Sequence, residues 1–316
     1  MDKAQASEYV GRCASLAALL EVSAYPKPGN VHRTRDLPET RYEHFLAGGV
    51  VLDRAMGSLA ERGFDAVAGA IRWEEVGLGR GILRAVKESM GWQGGGNVNL
   101  GIVLLFAPLS SAAGACLQRY GRVEVDGLRA MLDTVIKGTT SDDVAPVYEA
   151  IRTAMTRRTL GSAEELDVYD ESTMDRVRGE GLNLLDIFRT CAERDIVCGE
   201  WSSRFETTFN LGFPYLMREL EKGDPNTAVV DTFLFILSRR PDTLIRRKRG
   251  MEESVKVSIK AHDVLKKGSS GSQIGSRMVR RLDEELHASK GDLNPGATAD
   301  VTAACLFLAL LEGWRP

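Results

Sequence analysis

The sequence predicts an all-helical protein that folds as one compact domain. Apolar residues recur at three- and four-residue steps along most of the chain, first at Val10, Cys13, Ala17 and Leu20, which is the periodicity of one helix face. Alternation typical of strands is scarce, and no strand–helix–strand cycle is visible, which argues against an α/β sheet. No segment resembles a linker between domains. We therefore expect a single multi-helix domain over residues 1–316, with its site formed by the loops between helices.

The predicted helices follow one another along the chain, and prolines or clusters of Gly and polar residues separate them. Pro26 and Pro28 end the first helix, since proline cannot continue a helix and restrains the residue before it. Clusters of Gly and polar residues separate later helices at 94–99, 138–143, 161–167 and 267–272. Helices are predicted at 10–20, 45–60, 80–90, 100–118, 144–154, 174–198, 205–221, 227–238, 253–265, 274–287 and 297–311.

The composition excludes several classes of protein. Hydrophobic residues make up 43%, charged residues 27%, and the formal net charge is -3, which is an ordinary globular balance without a nucleic-acid-binding excess of cations. The longest apolar run, 101–109, is too short to span a bilayer, and the N-terminus lacks the pattern of a signal peptide. The five cysteines are scattered, as expected for small core residues in a reducing compartment. We expect a cytoplasmic protein without nucleic-acid or membrane partners, for which a homo-oligomer is allowed.

The first candidate site element is the loop after the first helix. Lys27 stands between Pro26 and Pro28, and Gly29 and Asn30 follow. The prolines stiffen the loop, the glycine lets the backbone approach a ligand, and a lysine suits a phosphate as a point charge. Taken alone, this pattern is more often a helix stop followed by a turn.

The second candidate is the glycine-rich segment 94–96, which Asn97, Val98 and Asn99 connect to an apolar helix. Backbone N–H groups before a helix start can bind an anion. The spacing matches neither the dinucleotide-binding fingerprint nor the Walker A loop. Either asparagine could instead cap the helix.

Adjacent charges form two further candidates. Asp142 and Asp143 open a predicted helix, where carboxylates can hold Mg²⁺ or act as a base, but also serve as ordinary caps. Asp242 precedes a basic segment that contains Arg247 and Lys248. These cations could clamp a triphosphate, or they could form a solvated basic turn.

The last candidate precedes and enters the C-terminal helix. Asn294 and Gly296 lead into it, and Asp300 lies one turn inside a segment that is otherwise small and apolar. A buried carboxylate in such surroundings needs a partner, a metal or a substrate. Asp300 therefore favours a functional role more strongly than the other candidates.

Together and in this order, these blocks resemble the triphosphoribosyl-dephospho-CoA synthase family. Its Glu-Val-Ser-x-x-Pro-Lys-Pro-Gly segment, Asn-containing Gly loop and Pro-Gly-x-x-Ala-Asp segment stand here at 21–31, 96–101 and 294–300. The similarity spans nearly the whole chain, and the first and last motifs are specific as a pair. The resemblance implies an all-helical transferase that moves the triphosphoribosyl unit of ATP, used with Mg²⁺, onto 3'-dephospho-CoA and releases adenine.

The transfer reaction serves as the hypothesis from which we assign roles to the candidate residues. Asp300 or Asp143 would be the catalytic carboxylate, and Asp142 and Asp143 would bind the metal. Residues expected to bind substrate are Lys27, Gly29, Asn30, Asn97, Asn99, Arg247, Lys248, Asn294 and Gly296.

Two positions depart from the family pattern. Leu100 stands where a basic residue is usual, and His32 stands where an aspartate is common. They leave open another ATP-dependent transferase step in cofactor biosynthesis, with a different acceptor. A non-catalytic helical protein that binds nucleotide or serves as a scaffold is the second alternative.

Overall fold

The computed structural model describes residues 1–161, 163 and 165–316, and it confirms the all-helical prediction. Two positions of the predicted separator at 161–167 lie outside the described residues. Within the described ranges the only extended pairing is an isolated bridge between His32 and Arg35. The helices are α1 Lys3–Ser23, α2 Tyr42–Val50, α3 Leu52–Val67, α4 Leu78–Gly91, α5 Leu100–Tyr120, α6 Val125–Lys137, α7 Ser141–Ala154, α8 Arg157–Leu160, α9 Thr173–Glu180, α10 Leu184–Cys191, α11 Ile196–Ser203, α12 Phe213–Leu220, α13 Pro225–Arg239, α14 Thr243–Arg249, α15 Met251–Lys267, α16 Gln273–His287 and α17 Gly296–Leu311, with a 3₁₀ turn at Trp73–Glu75 and a π-helical turn at Thr207–Gly212.

Some predicted helices are divided in the structure. The segment predicted as one helix at 174–198 forms α9, α10 and α11. Gly181 ends α9 in the left-handed region at φ 65°, and the side chains of Asn183 and Asp195 cap the next two helices. Apolar periodicity continues across such short interruptions, so it does not reveal them. Helix α6 was missed although its buried residues, Leu128, Met131, Leu132, Val135 and Ile136, have helical spacing.

Glycines allow the helices at the centre of the N-terminal half to cross closely. A β-carbon on Gly63 of α3 would overlap the backbone oxygen of Ser111 in α5, and one on Gly114 of α5 would overlap that of Ala60 in α3. Helices can approach this closely only where side chains are absent. The crossing fixes the position of α5 relative to α3.

Helices α5 and α17 lie in the core. Helix α5 is long and apolar enough to cross a membrane by length and composition, but 94% of the relevant window is buried inside the protein. Helix α17 packs against α1, α5 and α13. An apolar helix covered in this way is explained by the core it builds.

The cysteines divide into two groups. Cys13, Cys116 and Cys305 are buried free thiols, as expected for small core residues. Cys191 and Cys198 instead form a disulfide that joins α10 to α11. The scattered spacing in the sequence did not predict this bond.

Candidate functional site

The C-terminal motif meets the central loop where Asp300 faces Gly101. A β-carbon on Gly101 would overlap Oδ2 of Asp300, so the carboxylate lies against a bare α-carbon in the first turn of α5. The positive end of a helix dipole stabilises a carboxylate placed there. The glycine of the central motif therefore makes room for the acid of the last motif.

Asp300 is half-buried on α17. Its pKa is raised well above the ordinary value, first by burial and then by the nearby carboxylates of Glu21, Asp195 and Asp242; the Lys27 ammonium opposes this shift. A carboxylate whose pKa is raised accepts a proton more readily near neutral pH. The position thus suits proton transfer.

Lys27 lies in the interior, with no exposed side-chain surface. Its ammonium forms an ion pair with Glu21 and donates a hydrogen bond to Oδ1 of Asn30 at 3.0 Å. Burial lowers the pKa of Lys27, and the Glu21 carboxylate opposes that effect. In this structure Lys27 therefore neutralises Glu21 and donates a hydrogen bond to Asn30. The sequence predicted instead that Lys27 contacts a phosphate.

The first and last motifs are also joined directly. Nδ2 of Asn30 donates to Oδ1 of Asn294 at 2.8 Å. Gly29 adopts φ 75°, and a β-carbon there would lie 2.7 Å from the β-carbon of Leu286. Gly296 is similarly confined, since its β-carbon would lie 2.8 Å from Cδ2 of Leu244. Close approach of the chain requires glycine at position 29, whereas at position 296 the flexible end of the Leu244 side chain could move aside.

Asp242 links the basic helix α14 to the start of α17. Its Oδ1 accepts hydrogen bonds from the N–H groups of Leu244 at 2.8 Å and Ile245 at 3.0 Å. Its Oδ2 accepts from the N–H of Thr298 at 2.7 Å and the hydroxyl of Thr298 at 2.8 Å. The basic segment, interpreted from sequence as a clamp or a turn, is a capped helix attached to the helix that carries Asp300.

The two predicted cations on α14 both have partners. Nη1 of Arg247 lies 3.8 Å from Oδ2 of Asp195. Nζ of Lys248 donates to the carbonyl oxygen of Gly291 at 2.9 Å, and burial lowers the pKa of this lysine. Because Asp195 also raises the pKa of Asp300, the α14 cations and Asp300 belong to one charged region.

The asparagines of the central loop have structural partners. Oδ1 of Asn97 accepts from the N–H of Leu100 at 3.1 Å, as the capping alternative predicted. Asn99 is buried, and its Nδ2 lies 3.4 Å from the hydroxyl of Ser89. These bonds hold the loop at the start of α5, next to Gly101.

Asp142 and Asp143 differ from Asp300 in their hydrogen-bond partners and in their exposure. Oδ1 of Asp143 accepts from the N–H of Gly79 at 2.8 Å, and Oδ2 accepts from the N–H of Thr140 at 3.0 Å. Asp142 is exposed on the same helix, α7, which packs against α4. In the described part of the chain, no group of three or more His, Cys, Asp or Glu side chains is arranged to hold a metal. Asp143 therefore caps helices, Asp142 faces the solvent, and the pair does not form a metal site of this kind.

Sequence reasoning gave no role to two carboxylates of this region. Glu21 lies one turn beyond Ala17 on the buried face of α1, and a charge on an apolar face is a signal that could have identified it. Asp195 caps α11 within a stretch that was predicted as continuous helix. Its signal was the capping pattern, which the apolar periodicity obscured.

A surface pocket of about 330 Å³ lies apart from these residues. Its lining consists of Ala66, Val67, Trp73, Arg119, Met131 and Thr134. Since this lining holds neither a carboxylate nor a histidine, it lacks the groups for acid–base chemistry. We therefore place the candidate site at Asp300.

A family model described as ATP:dephospho-CoA triphosphoribosyl transferase matches residues 7–316 of this chain. Two curated relatives each carry the name of a probable 2-(5''-triphosphoribosyl)-3'-dephosphocoenzyme-A synthase. The relative from Pseudomonas paraeruginosa is 38% identical over 108 residues, covering 33% of this chain and 36% of that protein. The relative from Azotobacter vinelandii is 36% identical over 102 residues, covering 32% and 34%. The matched segments thus span about a third of these relatives.

Among solved structures, a protein from Archaeoglobus fulgidus described as a triphosphoribosyl-dephospho-CoA synthase is similar to this chain. The TM-score is 0.62 and the sequence identity is 27%. The match covers 87% of this chain and 100% of the archaeal one. The likeness therefore extends over most of this chain.

Proposed function

Because this chain belongs to the ATP:dephospho-CoA triphosphoribosyl transferase family, we propose that it transfers the triphosphoribosyl unit of ATP onto 3'-dephospho-CoA and releases adenine. The observation that carries the proposal is the placement of Asp300. Its half-buried carboxylate lies against Gly101, beside the Lys27–Glu21 pair, where three separate motifs meet.

The proposed reaction is a substitution at C1' of the ATP ribose. A hydroxyl of the acceptor forms a bond to C1' while the bond from C1' to the adenine nitrogen breaks. The transition state has oxocarbenium character, as in glycoside hydrolysis. Asp300 accepts the hydroxyl proton, and the raised pKa makes its carboxylate a stronger base than that of an exposed aspartate. Adenine leaves with the bonding electron pair and takes up a proton.

The phosphates require cations or N–H donors. Arg247 and Lys248 on α14 are assigned to the triphosphate, because Asp195 and Asp242 connect their helix to the surroundings of Asp300. Asn30 and Asn294, which share a hydrogen bond, are assigned to ribose or phosphate oxygens. Amide groups and cations of this kind stabilise charge that develops during the transfer.

Magnesium enters this proposal only as part of the ATP substrate. The residue pair predicted to bind it does not fit, since both oxygens of Asp143 accept backbone hydrogen bonds and Asp142 is exposed. We therefore assign no catalytic step to a metal at that position.

The test is release of free adenine. The protein is incubated with ATP, Mg²⁺ and 3'-dephospho-CoA, and the products are separated by chromatography. The proposal expects adenine and a heavier nucleotide product in equal amounts, both absent when the acceptor is omitted. The exposed-acid variant Asp263→Asn serves as a control that retains activity.

Two other outcomes would overturn the proposal. ATP turnover without adenine would favour a different ATP-dependent transferase step. Failure of every nucleotide to raise the melting temperature would favour a non-catalytic scaffold, since saturation at 100 times Kd stabilises a protein by about 2.7 kcal/mol.

A further inference from the structure

The loop that carries Lys27 and Asn30 is attached to α16 through one buried carboxylate, Asp283. Its Oδ1 accepts a hydrogen bond from the N–H of Gly29 at 3.1 Å. Its Oδ2 lies 3.4 Å from Nε2 of His32. One side chain therefore contacts the loop both before and after Asn30.

The contact is close because no side chain separates loop and helix. Gly29 has φ 75°, and a β-carbon there would lie 2.7 Å from the β-carbon of Leu286 and 2.9 Å from the carbonyl oxygen of Leu293. Any larger residue would push the loop away from α16. The N–H of Gly29 can therefore reach Asp283 only in this arrangement.

His32 is fixed at both ring nitrogens. Nδ1 lies 3.1 Å from the hydroxyl of Thr34, which can donate to it, and Nε2 faces Asp283. This network assigns the proton to Nε2, which donates to the carboxylate. The ring is buried, so its orientation depends on these two partners.

His287 supports Asp283 from α16 itself. Its Nδ1 lies 2.9 Å from Oδ1 of Asp283, while its buried Nε2 has no hydrogen-bond partner in the described residues. Although burial raises the pKa of Asp283, hydrogen bonds from His287 and His32 hold it well below its ordinary value. The carboxylate is therefore ionised, and it accepts from donors on both sides.

We propose that Asp283 is a positioning residue for the transfer reaction, which acts by holding the loop of residues 26–32 so that Asn30 meets Asn294. This inference rests on the proposed function. It is distinct from a role in folding, because the contacts of Asp283 lie directly beside the residues assigned to the substrate. Misplacement of binding groups by about 1 Å can cost about 10²-fold in rate.

A double-mutant cycle in the full-length protein tests this role. Asp283→Ala, Asn30→Ala and the double variant are compared by kcat/KM for adenine release and by the Kd for ATP from calorimetry. If Asp283 acts through Asn30, either single change lowers kcat/KM, by about 10²-fold for Asp283→Ala. The kcat/KM of the double variant is then no lower than that of the less active single variant. Losses that multiply would overturn the proposal.

Conservative and matched variants separate positioning from general damage. Asp283→Asn keeps an oxygen for Gly29 but loses the charge and the acceptor that faces His32, so kcat/KM should fall less than in Asp283→Ala. Asp167→Ala removes another buried carboxylate, one that accepts from the N–H of Tyr169 at 2.7 Å. Asp167→Ala should leave kcat/KM unchanged, and the double variant with Asn30→Ala should have the kcat/KM of Asn30→Ala alone.

If Asp283→Ala does not fold, His32→Ala replaces it in the cycle, with the same two outcomes.

The two proposals fail in different ways. A wild-type protein that releases no adenine contradicts the proposed function, and the cycle is then decided on the Kd for ATP. An active wild type whose two variants show no coupling contradicts only the role of Asp283.

Discussion

The carboxylate of Asp300 rests on the α-carbon of Gly101, so the last helix and the first turn of α5 fit together only because residue 101 has no side chain. Each residue belongs to a different sequence motif, separated by almost two hundred positions. Their contact places a carboxylate with a raised pKa at the N-terminus of a core helix.

Gly101→Ala should inactivate the protein without unfolding it. Replacing a helical glycine by alanine ordinarily stabilises by about 1 kcal/mol, but here the new β-carbon displaces Oδ2 of Asp300. We expect adenine release to fall by about 10²-fold or more, with an unchanged circular dichroism spectrum. Gly179→Ala is the matched control, because a β-carbon there meets nothing within 4 Å. Equal activity in the two variants would contradict the contact.

Asp300→Asn should raise stability at neutral pH. The pKa of Asp300 is higher in the folded than in the unfolded protein, so the native state binds more protons and its stability falls as pH rises through that window. The amide of the variant stays neutral at every pH, so the variant does not lose this stability as the pH rises. We expect a gain of about 0.5–2 kcal/mol, the range of typical stabilising substitutions.

Urea unfolding between pH 4 and pH 8 checks the sign of this effect. The gain should be small near the unfolded-state pKa, which is about 3.9, and should grow as the pH rises. A variant that is less stable than the wild type at every pH would contradict the assignment.

The Lys27–Glu21 pair should be strongly coupled. Removal of one partner leaves an uncompensated buried charge, which typically costs about 3–5 kcal/mol. Lys27→Met and Glu21→Gln should therefore each lower the free energy of unfolding, while the double variant should lose less than the sum. The exposed pair Lys87 and Glu149 provides the comparison, since both side chains are about half exposed and such pairs contribute about 0–1 kcal/mol. Strictly additive losses at Lys27 and Glu21 would show that the pair is not coupled.

Asp143→Ala should affect stability and spare the chemistry. Loss of the bonds to Gly79 and Thr140 removes a helix cap, which costs about 0.5–2 kcal/mol. The rate of adenine release per folded molecule should stay within a factor of about two of the wild type, because this carboxylate has a structural role. A loss of about 10²-fold, the minimum typical of a missing general base, would restore Asp143 as a catalytic candidate.

Helical periodicity was sufficient to predict the fold class and the long helices. The predicted helix at 100–118 is α5 almost to the residue, since an apolar run with a clear start has few alternatives. The divisions at Gly181 and Asp195 were not predicted, because a one-turn interruption leaves the apolar pattern intact.

The site was predictable in part. The order of the motifs predicted that Asn30, Asn294 and Asp300 contribute to one site, and the first two share a hydrogen bond. The burial of Lys27 and the roles of Asp195 and Asp283 depend on contacts between distant segments. A single sequence does not show directly which distant segments are in contact. Asp143 and Asp195 both stand at helix starts in the sequence, and only the structure shows that Asp195 lies near Asp300.

Single-turnover release of adenine by Asp300→Asn tests the central claim most directly. The variant and the wild type are compared at saturating ATP and 3'-dephospho-CoA, with the Kd for ATP measured in parallel. We predict that the rate falls by about 10²- to 10⁴-fold, as expected for loss of a general base, while ATP binding stays within about threefold. A rate close to that of the wild type would contradict the assignment of Asp300 as the base.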